Sequence, residues 1–237
     1  ILADSGAADG SYTYKRLLST TDGGASWKSS TPDSHLRLSS PVVKSPTEFM
    51  VAAGITTAYY TTSGGASWIR AALPAGTTST NLATSAQSFL AFITQKDNST
   101  ALLRWADSNQ WEVLLSTIPT GKRVFLSQNT IVILGSDSTY TISISPDERT
   151  ATLTTIGAIK DKFTPNLSIV QAYRNKLFEV SRNYIIHISS DTGRTLVPMV
   201  PDKALRYLQT ISSPTDKPVG MFMLGSRLYL GMAYGTI

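Results

Sequence analysis

The chain has 237 residues, 41% of them apolar and 16% charged, with a net charge of +5. That is enough apolar material for a substantial core, and sparse charge beside abundant Ser, Thr and Gly excludes a disordered chain or a coiled coil. The absence of cysteine excludes disulfides and thiolate metal sites, and His35 and His187 have no second histidine within ligand spacing, so no metal or cofactor is expected.

The basic residues occur in pairs such as Lys15-Arg16 and Lys122-Arg123 and form no stripe interleaved with aromatics, so nucleic acid is not an expected partner. No apolar run reaches the roughly 20 residues that a membrane-spanning helix needs. In chain order, residues 12–27 read as outer strands closed by a turn. Paired strands follow at 48–53 and 57–61, 88–94 and 101–105, 130–134 and 139–143, and 176–180 and 184–188. The last segments, 205–210, 221–224 and 227–233, supply the inner strands of a further unit with no closing turn. These runs are rich in β-branched and aromatic residues and bounded by Gly, Asn, Asp and Ser. No helical period is sustained.

The text also repeats. Thr20-Thr21-Asp22-Gly23-Gly24-Ala25-Ser26-Trp27 nearly matches Thr61-Thr62-Ser63-Gly64-Gly65-Ala66-Ser67-Trp68, with the tryptophans 41 positions apart. At similar spacing come a segment from Asp107 to Trp111, another around Asp147, and Ser189-Ser190-Asp191-Thr192-Gly193. A period of about 42 residues is that of a propeller blade of four strands. The spacing within each copy has a physical reason. An Asp carboxylate accepts hydrogen bonds from turn amides, a glycine two places on supplies positive φ, and a tryptophan buries its ring beside the hairpin.

The first, second and fifth copies resemble the Asp-box, or BNR repeat. The structural residues of that pattern are Asp22, Gly24 and Trp27; Ser63, Gly65 and Trp68, with Ser63 in place of Asp; Asp107 and Trp111; Asp147; and Asp191 and Gly193. The resemblance implies an all-β fold, a β-propeller of about five (alternatively six) four-stranded blades with Asp-box hairpins. Residues 1–237 are expected to form one propeller domain of a longer secreted or surface protein, in an extracellular, cell-surface or periplasmic setting. Asp-box propellers include sialidases, sortilin-type receptors, photosystem assembly factors and secreted bacterial proteins, so the fold does not choose a function.

A sialidase would carry an Arg-Ile-Pro signature ahead of the first box, and none occurs here; the only arginine upstream of Trp27 is Arg16. No catalytic residue is therefore assigned. The expected function is a non-catalytic binding or scaffold module for a protein or glycan; the alternative is a sialidase-like hydrolase of acidic glycans. Aligned by repeat, Arg37, Arg123 and Arg206 fall ten to twelve positions after the box-closing residues. They are read either as an anion-binding rim, since guanidinium forks match carboxylate or sulfate, or as solvated loop charges. Tyr59, Tyr60 and Trp105 are read as core aromatics or as platforms for a sugar ring.

Overall fold

The structure is a computed structural model that describes residues 2–5, 14–20, 22–32, 38–39, 41–158, 169–174, 176–180, 186–198, 218–224 and 227–232. The chain divides into two compact units, Ile1–Ile118 and Pro119–Ile237. Both are built from antiparallel meanders, and among the described residues no helix is long and apolar enough to cross a membrane.

The first unit holds a three-stranded sheet, β1 (Leu2–Ser5), β2 (Tyr14–Ser19) and β3 (Lys28–Ser30). Two four-stranded sheets follow. One is β4 (Val42–Val43), β5 (Phe49–Ala53), β6 (Thr57–Thr61) and β7 (Ile69–Ala72); the other is β8 (Thr77–Thr84), β9 (Phe89–Gln95), β10 (Thr100–Trp105) and β11 (Trp111–Leu115). In the second unit the four-stranded sheets are β12 (Lys122–Ser127) to β15 (Ala151–Ala158), through β13 (Thr130–Leu134) and β14 (Ser138–Ile144), and β16 (Ile169–Tyr173) to β19 (Val197–Pro198), through β17 (Lys176–Val180) and β18 (Ile186–Ser189). A two-stranded sheet, β20 (Pro218–Leu224) and β21 (Arg227–Met232), is the last among the described residues.

Burial is graded across each four-stranded sheet, and sequence follows it. The second strands are apolar on both faces: every residue of β5 is buried, as are the first five of β9 and the last four of β13. A strand covered on both sides loses the alternation of a half-exposed one. The fourth strands are more exposed, as in the Thr-rich β15. Within each unit, successive sheets pack face to face. Leu177 of β17 joins Val124, Val132 and Leu134 of the preceding sheet, while its neighbours Phe178 and Val180 pack with Met221 of the following one. Likewise Met50 and Ala58 meet Phe89 and Trp105 across two sheets. Full burial of a side chain such as Ile131 or Ile133, both at 0% exposure, contributes about 1.5–3 kcal/mol.

The strands read from sequence at 57–61, 130–134 and 176–180 coincide with β6, β13 and β17. The segments ahead of those paired strands are themselves strands, β8 and β12 above all. Half-buried Thr, Ser, Lys and Arg give them no clean two-residue alternation, and their pairing with β9 and β13 is what makes them strands. The strand expected at 205–210 lies outside the described residues.

Candidate functional site

The repeated turns position the side chains around them. In the first, the Thr20 hydroxyl donates to Asp22 Oδ1 (2.7 Å) and accepts the Gly24 N–H (2.9 Å), and Asp22 accepts the Ser26 N–H (2.9 Å). The fifth repeats this bond for bond: Ser189 to Asp191 (2.8 Å), Gly193 N–H to Ser189 (2.7 Å), Thr195 N–H to Asp191 (2.9 Å). In the second, Ser63 Oγ accepts the Ser67 N–H at 2.8 Å and Thr61 accepts the Gly65 N–H at 3.0 Å. A neutral hydroxyl therefore keeps the geometry that a carboxylate makes elsewhere.

The remaining two turns differ, each for a visible reason. These three turns have two successive residues at positive φ, such as Gly23 and Gly24 or Thr192 and Gly193. In the fourth, only Glu148 does (φ 53°), because Arg149 stands where the others have glycine. Its Ser145 hydroxyl accepts an amide one residue further on, Thr150 N–H at 3.1 Å. Around Asp107 the loop is one residue shorter and closes through backbone alone, Asn109 N–H to Ala106 O and Ala106 N–H to Gln110 O, both 3.0 Å, with Asn109 at φ 56°.

The bonds hold the turn carboxylates low. The hydroxyl and amide of Ser26, then the Thr20 hydroxyl, keep Asp22 well below the usual carboxylate range. The Ser145 hydroxyl and the Arg149 amide lower Asp147. For Asp191 burial pushes upward, but Thr195 and Ser189 outweigh it. A carboxylate held low by donors is a poor general acid at neutral pH, so these three serve their turns.

The tryptophans that end the first two turns take different environments. Trp68 packs edge-on against Phe49 (5.4 Å, 79°) and lies beside Leu38, Val51 and Ala53. Trp27 folds back over Gly24 and remains 44% exposed. It stands at the wall of a groove of about 560 Å³ between the β2–β3 hairpin and the sheet that starts at β4. Leu18, Pro41, Val43, Pro46 and Phe49 make the apolar lining, Lys28 adds a positive charge, and hydroxyls of Thr20, Ser45, Thr47 and Ser63 border it. Val43 is 57% exposed. The Ser30 hydroxyl donates to Gly65 O at 2.5 Å, tying β3 to the second turn and setting the spacing of the two sheets. Sequence reasoning did not find this groove. The relevant signal was the cluster of Pro41, Val43 and Pro46, apolar residues in a segment too short and too proline-rich for a core strand.

Of the three arginines, Arg123 lies half-buried on β12, where burial draws its pKa down. Arg37 and Arg206 lie outside the described residues, as does His35. Tyr60 and Trp105 pack edge-on within a core aromatic cluster with Phe89 and Trp111, and Tyr59 lies against the Val51 cluster. Glu48 accepts from Lys44 (3.0 Å) and from the Tyr60 hydroxyl (3.2 Å). Burial, then the Glu48 charge, raises the Tyr60 pKa. These aromatics are packing residues. His187 sits on β18 with Nδ1 2.7 Å from Glu179 Oε2, opposite it on β17.

No protein-family model matches the chain, and no curated protein matches it by sequence. Among solved structures, the fold is similar to "YCF48 from Cyanidioschyzon merolae", with a TM-score of 0.56 and 14% identity over 92% of this chain and 75% of that one. It is also similar to "YCF48 bound to D1 peptide", with a TM-score of 0.50 and 16% identity over 92% of this chain and 83% of that one. At such identities the likeness is one of fold, and the chain is a β-propeller.

Proposed function

We propose that this propeller is a non-catalytic binding module for a protein partner, and that it seats an apolar segment of that partner in the groove beside Trp27. The observation that carries the reading is an open apolar groove of about 560 Å³ walled by a tryptophan left 44% exposed. Trp is among the side chains enriched at the hot spots of interfaces, and buried aromatics are unavailable for that role. One propeller of similar fold is described as bound to a peptide, which supports a peptide over a glycan. The three turns closed by a Thr or Ser hydroxyl and an Asp or Ser acceptor are read as Asp-boxes, with a structural role, and the first two of them flank the groove.

Panning short random peptides displayed on phage against the chain, then titrating the synthesised winners, tests the proposal. Recovered sequences should share an apolar core, and Trp27→Ala should weaken them by about 2 kcal/mol, roughly thirtyfold. Peptides that bind Trp27→Ala as well as the parent would remove the groove from consideration.

A further inference from the structure

Outer strands of stacked sheets leave one row of N–H and C=O groups unpaired, and proteins guard such edges with charge, proline or brevity. Four of the five outer strands described carry a guard. β3 has three residues and includes Lys28. β7 carries Arg70. β11 carries Glu112, paired with Arg104 at 2.6 Å. β19 has two residues and ends in Pro198.

β15 has no such guard. Its eight residues, Ala-Thr-Leu-Thr-Thr-Ile-Gly-Ala, contain neither charge nor proline, and four are β-branched. It pairs with β14 from Ile144↔Ala151 to Ser138↔Ala158. Among the described residues no strand pairs with its other side. The irregularity beside Thr139 and Tyr140 disturbs only its last residues and leaves 151–155 in regular register. Thr152, Thr154 and Thr155 are exposed. The strand is thus the longest of the outer strands described, and over 151–155 neither charge, proline nor bulge discourages addition of another.

We propose that β15 is a second interaction edge, which takes an extended segment of another protein as a fifth, antiparallel strand. Main-chain hydrogen bonds supply the affinity, as in other strand additions. The segment's centre must match the Thr-rich edge with uncharged β-branched residues, because such cross-strand pairs are the favourable ones. Arg149 is exposed two residues before the strand begins, and antiparallel pairing brings the C-terminal flank of the segment there. An acidic residue in that flank complements it. A second copy of this chain would instead set a net charge of +5 against its equal, so a foreign segment is the occupant.

The probe is a fluorescein-labelled peptide of alternating Thr and Val ending in a pair of glutamates, titrated into the whole chain by fluorescence anisotropy. Saturable binding is expected. Thr154→Lys, on an exposed position that leaves the core alone, should weaken it by about tenfold or more, and Lys in place of the glutamates should weaken it too. Amide exchange at 151–158 should slow when the peptide is added. Trp27→Ala, in the other unit, should leave the titration unchanged, so this edge and the groove fail separately. The proposal is overturned if wild type shows no saturable binding, if Thr154→Lys binds equally, or if a peptide with N-methylated backbone binds equally. A dimer that Thr154→Lys dissolves would give the edge to a second copy and overturn the foreign segment.

Discussion

Gly193→Ala isolates what the repeated turn does for packing. The added methyl would lie 2.4 Å from Leu134 Cδ2 and 3.4 Å from Leu177 Cδ1, at a backbone φ of +89°. Left-handed backbone costs an L-residue about 1 kcal/mol. Leu134 is 3% exposed and sits in a cluster with Val124, Val132 and Leu177, so it can give way only into the cavity of about 10 Å³ that it borders. Overpacking of this kind costs about 1–3 kcal/mol, for a total of about 2–4 kcal/mol. Gly23→Ala is the control: its φ is +71°, yet nothing lies within 4 Å of the added carbon, so only the backbone cost of about 1 kcal/mol applies. Urea denaturation, with hydrogen exchange followed at each turn, measures both. Equal losses in the two variants would refute the reasoning, since the fifth turn would then not be wedged against the neighbouring sheet.

Two further outcomes follow from the titratable groups. His187→Leu leaves the Glu179 carboxylate, 6% exposed, without the imidazole that lies 2.7 Å from it; it should cost about 1–3 kcal/mol in urea. Glu179→Leu added to it should recover most of the loss, and additive losses in the double variant would argue against coupling. Asp22, Asp147 and Asp191 have lowered pKa values in the fold. Their contribution is complete above the unfolded carboxylate value of about 4 and disappears as pH falls through the lower folded values. The thermal midpoint should therefore drop below about pH 4. Asp191→Asn should flatten that drop, and an unchanged slope would exclude the turn carboxylate as its source.

Much of the fold was legible because its signals are local. The second and third strands are short runs of apolar and β-branched residues ended by turn formers, so 57–61 and 176–180 could be read directly. The turns repeat because only a hydroxyl, an acceptor and positive-φ residues at fixed offsets satisfy the same amides. Ser63 shows the limit of reading by residue type: it looks like a lost Asp, yet it accepts the same amide. Asp107 shows the reverse, since it stands in a loop that backbone bonds close by themselves.

The candidate sites were less legible, and for one reason. Trp27 and Trp68 occupy equivalent positions in nearly identical octapeptides, yet one is packed against Phe49 and the other walls a groove. Likewise Thr154 reads as an ordinary strand residue, and only the sheet order makes it part of an unguarded edge. The sequence by itself determined the period, the strands and the hydrogen-bonded turns, because those depend on neighbours a few residues away. Tertiary structure alone decided which tryptophan is covered and which strand edge is left open, because exposure depends on what a neighbouring sheet places against each surface.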